Sequence, residues 1–184
     1  MGVSGDALCD LRERFRAECE SEGLDWRLSA DMPKGFEDAF GTCDPTTRTV
    51  YLNAPALGKM PEYERLFHLY HELRHAAQYA HPERFGELTA RSLSYAVGYD
   101  GVCFRLCGDG WRECRLDGSR EYFTGMYLGQ PSERDANEYA LSRVRKIVGN
   151  AEGLCELAAF WTPDVLPGED EYERLYELID EKTK

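Results

Sequence analysis

The sequence predicts an α+β fold dominated by helices, with a small antiparallel sheet. Several segments repeat apolar residues every three or four positions with charged residues between them, which is the helical spacing. One turn-flanked stretch near residue 50 has the β-branched and aromatic residues typical of strands. A chain of 184 residues has the usual length of one domain. We therefore expect a single domain over residues 1–184, with its core at about 25–147 and C-terminal helices at about 150–184.

The first part of the chain predicts one helix, a small sheet and a second helix. Residues 6–22 place apolar side chains at helical spacing, namely Leu8, Leu11, Phe15 and Cys19. The segment "LDWRLSAD" predicts a short strand, and "FGTCDPTTRTVYLN" predicts a hairpin with "DPTT" at its turn. Pro61 suits the first turn of a helix, and the His81-Pro82 step ends that helix after about Ala80.

The second part predicts further helices around a less regular region. Residues 83–97 have helical character, while "GVCFRL", "WRECRL" and "YFTGMYL" within 98–129 suggest short strands. "QPSERDANEYALSRVRKIVG" predicts a helix, because acidic residues occupy its first turn, basic residues its last, and Gly149 follows. "NAEGLCELAAFW" and "EDEYERLYELIDEK" predict two more.

Composition and charge exclude some functions. The net charge of −12 repels phosphate backbones, which argues against direct nucleic-acid binding. No stretch reaches the roughly 20 apolar residues of a membrane span, and the charged amino terminus does not resemble a secretory signal. We therefore expect a cytoplasmic protein with no membrane partner. The seven cysteines show no C-x-x-C spacing and suit reduced thiols, although Cys103, Cys107 and Cys114 come closest to a second metal site.

The segment "HLYHELRHAAQYA" carries three of the four histidines. On a helical wheel, His68, His71 and His75 fall opposite an arc of mainly apolar residues, namely Tyr63, Leu66, Tyr70, Leu73, Ala77 and Ala80. Histidines at positions i and i+4 lie on one side of a helix, close enough to share a zinc ion. The alternative is a histidine cluster on the surface of a helical domain without metal.

His71-Glu72-Leu73-Arg74-His75 also has the pattern H-E-x-x-H. Its spacing has a chemical reason, because the two imidazoles donate neutral nitrogens to Zn²⁺ while Glu72 reaches the water on the metal. Zinc lowers the pKa of that water to about 7, and the carboxylate accepts its proton during attack on a carbonyl. Glu72 is thus the candidate general base.

A catalytic zinc site needs a third protein ligand. His68, His81, a cysteine or a carboxylate could supply it, although three ligands from one straight helix bind poorly. A further candidate is Glu133, which opens the helix of "PSERDANEYA", with Asn137 one turn later on the same face. Asp135 projects in a different direction from Glu133, so we do not expect both to bind. Spacing alone does not decide whether Glu133 is a ligand or an N-terminal carboxylate favoured by the helix dipole.

"HELRHA" followed by "PSERDANEYA" resembles the ImmA/IrrE-type zinc metallopeptidases, small gluzincin-like proteins that pair H-E-x-x-H with a downstream E-x-E/D-A-N-x-F/Y-A helix. The likeness covers the segment from "RTVYLN" to about residue 147. It implies a minimal zincin fold with a small sheet whose edge holds an extended peptide. It also implies His71, His75 and Glu133 as zinc ligands and Glu72 as general base, and a repressor-type transcriptional regulator as a possible substrate.

Two functions follow as expectations. The first is a zinc-dependent peptidase that cleaves an intracellular protein or peptide with metal-activated water. The alternative is a zinc-containing regulatory module that binds a protein without cutting it, for which the intact glutamate would be unnecessary. Asn137, His68, Tyr127 and Asp135 are the further candidates around the metal or in the cleft. Tyr122, Tyr127 and Arg134 are donors that could stabilise an oxyanion.

Overall fold

The computed structural model describes residues 3–108 and 110–184, with side chains from residue 9 onward. The predicted α+β class is confirmed, because 54% of the chain is helical and 15% is strand. The described chain divides into two compact units, one of residues through Pro82 with Ala136–Ala158, the other of Glu83–Asp135 with Ala159–Lys184. The expected single domain over residues 1–184 stays a prediction.

The first unit begins with the predicted helix α1, Val3–Glu22. Leu11, Phe15 and Cys19 are buried at the expected helical spacing, whereas the side chain of Leu8 lies outside the described ones. Gly23 ends the helix with a left-handed φ of 69°, and the Leu24 amide donates a hydrogen bond to the Cys19 carbonyl. Glycine adopts this conformation without strain, which stops the helix there.

The first sheet contains three strands, β1 (Arg27–Ser29), β2 (Gly41–Asp44) and β3 (Thr49–Leu52). The order is β1-β3-β2, so β2 lies at an edge. The predicted hairpin is confirmed, since β2 and β3 are antiparallel. β1 is parallel to β3, which makes this sheet mixed.

The short helix α2 (Ala54–Leu57) follows, and α3 (Glu62–Ala80) then packs against β2, β3 and α1. α3 begins directly after Pro61 and ends at His81, as predicted. Its apolar side is buried through Leu66, Tyr70, Leu73 and Ala77. Its histidine side is buried too, which excludes a surface histidine cluster.

The second unit contains a fully antiparallel sheet, order β4-β5-β6. The elements given to it are α4 (Glu87–Ser92), β4 (Tyr95–Val97), β5 (Val102–Cys107), β6 (Gly110–Arg115), α5 (Arg120–Leu128) and α8 (Glu169–Lys182). α8 packs on β5 and β6, while α5 packs on β4. Tyr95 and Tyr176 stack with ring centroids 4.0 Å apart in the core of this unit.

Two remaining helices were predicted from the sequence and are confirmed, α6 (Pro131–Val148) and α7 (Leu154–Phe160). None of the helices in the described ranges has the length and low polarity needed to cross a membrane.

Two predicted elements were wrong. The helix expected over residues 83–97 is a 3₁₀ turn (Pro82–Arg84) and the short α4, after which β4 begins at Tyr95. "YFTGMYL" is not a strand but most of α5. Ser119 caps α5 by accepting a hydrogen bond from the Tyr122 amide, and Phe123 and Met126, three positions apart, are both buried. Capping and burial of one helical face override the strand propensity of these aromatic residues.

Candidate metal centre

Helix α3 brings His71 and His75 together inside the protein. Their Nε2 atoms lie 3.1 Å apart, and the two rings meet edge to face with centroids separated by 4.6 Å. Both residues are buried, at 7% and 8% exposure. The i, i+4 spacing accounts for the shared side of the helix. The predicted pairing of these two imidazoles is therefore present.

Gln78 sets the orientation of the His75 ring. Its Oε1 lies 2.8 Å from His75 Nδ1, and the Gln78 side chain is fully buried. A carbonyl oxygen only accepts hydrogen bonds, so the tautomer of His75 with its proton on Nδ1 fits this contact, and that tautomer would leave the Nε2 lone pair for a metal. The Nε2 atoms of both rings lie in the same place, where one ion could bind the two.

Glu133 supplies the third group from the first turn of α6. Its carboxylate and one nitrogen of each imidazole all lie within 4.8 Å of one another. Two nitrogens bound to one tetrahedral zinc at about 2.0–2.1 Å would be about 3.3 Å apart, close to the separation of the two Nε2 atoms. Two neutral imidazoles and a carboxylate form a donor set suited to a divalent metal. His71, His75 and Glu133 are therefore close enough together to bind a metal ion.

Glu72 lies beside the edge strand β2. A Cβ added at Gly41 would stand 2.8 Å from Glu72 Cγ and 3.0 Å from Oε1, so only glycine leaves room for this carboxylate. Glu72 is 7% exposed and follows His71 directly along α3. Its neighbourhood agrees with a carboxylate that serves a site between α3 and the sheet edge, although its role as base stays a prediction.

His68 lies one turn before His71 but is not part of the three-ligand group. Its ring contacts Phe40 and Phe67, with centroid distances of 4.8 Å and 5.5 Å. Burial, together with the nearby His71, lowers the pKa of His68 to about 3. His68 is therefore neutral at physiological pH. These contacts agree with the cleft-lining role that the sequence suggested for it.

The other candidates occupy different positions around α6. Asn137 is buried one turn after Glu133, and Asp135 is half-buried outside the three-ligand group. Tyr127 packs edge to face on Tyr99, with ring centroids 4.8 Å apart. Burial raises the pKa of Tyr99, a hydrogen bond with Tyr127 opposes this rise, and the negative charge of Glu133 adds to it. Tyr99 therefore lies near enough to Glu133 for that charge to act on its hydroxyl. His81, Tyr122 and Arg134 lie outside the three-ligand group as well.

Sequence reasoning missed three residues of this region: Gln78, Gly41 and Tyr99. Gln78 had a signal, because a residue three positions after His75 lies on the same side of the helix. Gly41 also had one, since glycine in a strand often marks a close approach of another group to the backbone. Tyr99 had none, because only the fold brings it near Glu133.

The cysteines form no second metal cluster within the described residues. All seven cysteines lie within the described residues and are free thiols. Cys103 and Cys114 face each other across β5 and β6. Burial raises the pKa of Cys103 to about 11, and nearby Cys114 contributes to that rise. A buried thiol of high pKa is a poor nucleophile, so this pair has a packing role.

Comparison with known proteins gives no assignment. No family model matches the chain, and neither a curated protein nor a solved structure is significantly similar to it.

Proposed function

We propose that this chain is a zinc-dependent peptidase that hydrolyses peptide bonds of an intracellular protein or peptide. The observation that carries the proposal is the meeting of His71, His75 and Glu133, with Glu72 next to them against the sheet edge. A structural metal site has no need of an additional buried carboxylate at that position. H-E-x-x-H with a distant glutamate supplies all the groups that metal-assisted hydrolysis requires.

The ligand set favours zinc. Two imidazole nitrogens and one carboxylate are the three protein ligands found in catalytic zinc sites that keep one position open. When bound, zinc would polarise the substrate carbonyl and lower the pKa of a water molecule to about 7. Gln78 contacts His75 at Nδ1 and leaves Nε2 for the metal.

Glu72 would act on the attacking water. Its carboxylate accepts the proton of that water as the water adds to the peptide carbonyl, and it then delivers the proton to the departing amine. Gly41 keeps the carboxylate close to β2, where the substrate backbone would lie. Glu72 would thereby lie between the metal ligands and the substrate.

The edge strand β2 offers the place for a peptide. The Asn53 backbone amide donates a hydrogen bond to the Phe40 carbonyl, so Phe40 and Asn53 form a hydrogen-bonded pair of the β2–β3 ladder. Hydrogen-bonded and non-hydrogen-bonded pairs alternate from there along the register. The peptide group of Gly41 consequently points away from β3, toward the outer side of β2. An extended substrate would pair with this group and pass beside Glu72.

The resemblance to the ImmA/IrrE-type metallopeptidases supports the same proposal. It adds a transcriptional regulator in the cytoplasm as the class of substrate to test first. The acidic composition suits a protein substrate better than a nucleic acid.

The experiment compares wild type with Glu72→Gln. Both proteins are loaded with zinc, their zinc content is measured, and each is incubated with an unstructured protein such as casein, whose fragments are identified by mass spectrometry. We expect zinc-dependent cleavage by wild type and a loss of at least about 1000-fold in Glu72→Gln at equal zinc content, because the base is gone while the ligands remain.

Glu62→Gln is the matched control, since it removes an exposed carboxylate from the same helix and should leave cleavage unchanged. Equal cleavage by wild type and Glu72→Gln would show that Glu72 is not the base. Tight binding of a partner by both proteins, with no cleavage by either, would favour the alternative of a zinc-containing regulatory binding module.

A further inference from the structure

Two large aromatic side chains are exposed on the loop that precedes β2. Phe36 is 49% exposed and Phe40 is 38% exposed. A single exposed apolar residue is common on protein surfaces. Two phenylalanines on one short loop, directly before the strand proposed to bind a peptide, call for a functional explanation.

This loop is held in a defined conformation. The Asn53 side-chain amide donates hydrogen bonds to the carbonyls of Glu37 and Ala39, both at 2.9 Å. The Asn53 backbone amide donates to the Phe40 carbonyl, also at 2.9 Å. Within the loop, the Ala39 amide donates to the Phe36 carbonyl at 3.0 Å. The two rings are therefore presented on a preorganised backbone, which lowers the entropy cost of binding.

The loop also leads directly into the candidate active site. The Phe40 ring lies 4.8 Å from the ring of His68, which is on the same helix as His71 and one turn before it. The next residue, Gly41, lies against Glu72. An extended peptide paired with β2 would therefore have a side chain within reach of Phe40, and Phe36 lies in the hydrogen-bonded turn directly before Phe40.

We propose that Phe36 and Phe40 form a subsite that selects a large apolar side chain of the substrate, close to the bond that is cut. This proposal rests on the proposed peptidase function and names the class of peptide that the site takes. Aromatic rings favour an apolar substrate side chain, because contact removes the apolar surface of both the rings and that side chain from water. The exposed carboxylates of Glu37 and Asp38 on the same loop disfavour an acidic residue.

The test uses three mixtures of quenched fluorogenic peptides that differ at a single position, occupied by leucine and phenylalanine, by alanine, or by glutamate. Wild type should cleave the leucine and phenylalanine mixture about 10- to 100-fold faster than the alanine mixture, and the glutamate mixture slowest. In the double variant Phe36→Ala/Phe40→Ala, the cleavage rate of the leucine and phenylalanine mixture should fall to within about threefold of the rate for the alanine mixture. Zinc content should not change.

Phe160→Ala is the matched control, because Phe160 is 70% exposed at the end of α7 and should leave the ratio unchanged. A ratio that stays at the wild-type value in Phe36→Ala/Phe40→Ala would overturn the subsite.

A second measurement separates this proposal from the peptidase function. Binding of the same three mixtures, prepared with the fluorophore but without the quencher, to zinc-loaded Glu72→Gln is followed by fluorescence anisotropy, which requires no turnover. If wild type cuts nothing but the apolar preference in binding is present and disappears in Phe36→Ala/Phe40→Ala, the peptidase function fails and the subsite stands. Equal binding of all mixtures, or no binding of any, overturns the subsite.

Discussion

Glu72 depends on the residue opposite it in β2. Because Gly41 has no side chain, the Glu72 carboxylate can lie against the strand, with Oε1 3.0 Å from where a Cβ would stand. In Gly41→Ala either the glutamate or the strand must move. A displacement of about 1 Å from productive geometry can lower a rate by about 100-fold. We expect kcat/KM for cleavage to fall about 10- to 100-fold with unchanged zinc content, measured side by side with wild type.

The control for this substitution is Gly86→Ala. An added Cβ at Gly86 meets no atom within 4 Å, and its φ of −61° suits alanine. This variant should keep the wild-type rate. If Gly41→Ala were equally active, the position of Glu72 would not depend on the close approach of β2.

The candidate site shows which residues a sequence can place and which it cannot. His71, Glu72 and His75 belong to one helix, so the helical period fixed their relative positions in advance. Glu133 is 58 positions after His75, and spacing alone left its role open, while the family resemblance indicated it. Gly41 and Tyr99 reach the site through the packing of other elements, which no local pattern encodes.

At the scale of elements, a buried charged network joins α1, α3 and α6. The Glu18 carboxylate, 3% exposed, accepts hydrogen bonds from the Tyr139 hydroxyl and the Arg143 guanidinium, both on α6. Arg143 also lies over the ring of Tyr70, and Arg74 over the ring of Tyr139, so α3 takes part through two cation–π contacts. The network joins these three helices within the first unit.

Removal of Glu18 should therefore destabilise the protein. Glu18→Ala leaves the half-buried Arg143 and Tyr139 without their common acceptor, which costs about 1–3 kcal/mol in the free energy of unfolding. Urea denaturation followed by circular dichroism measures this change. Asp25→Ala is the control, because Asp25 pairs with Arg48 at 3.4 Å on the exposed surface and should show no measurable loss. Equal stability of the two variants would contradict a structural role of the network.

The elements themselves were predictable where one periodic signal dominated. α1, α3, α6 and α8 have regular apolar spacing and clear end signals, and all four occur as predicted. α5 was missed because its aromatic residues favour strands in isolation, whereas Ser119 and the buried Phe123 and Met126 favour a helix in context. β4 is only three residues long, too short for a pattern to develop.

For the whole molecule, the core of the second unit depends on chain segments far apart in sequence. Tyr95 and Phe123 belong to the same buried cluster as Tyr172, Tyr176 and Ile179 of α8. The Tyr95 hydroxyl also donates a hydrogen bond to Asp180, at 3.0 Å. Such pairings over about 80 positions are a property of the complete fold, and local sequence patterns do not reveal them.

Metal binding should likewise be linked to folding of the whole chain. The ligands come from α3 and α6 and meet only in the folded state, so an ion that binds there stabilises that state over the unfolded one. At a zinc concentration 1000 times the Kd, the stabilisation is about 4 kcal/mol. For a chain of this length, that corresponds to a rise in Tm of roughly 8–16 °C. Differential scanning fluorimetry of chelator-treated protein, with and without zinc, measures the shift.

The variants decide which residues hold the ion. His75→Ala should lose most of the shift in Tm, because it removes one of three ligands, whereas Glu72→Gln should keep it. His81→Ala is the matched control, since His81 lies just beyond the end of α3 and outside the three-ligand group. A full shift in His75→Ala, or a loss of the shift in His81→Ala alone, would place the ion elsewhere. Glu72→Gln retains the three ligands, so it should keep the zinc-dependent shift in Tm. A variant that keeps the shift but does not cleave has lost the base and not the metal.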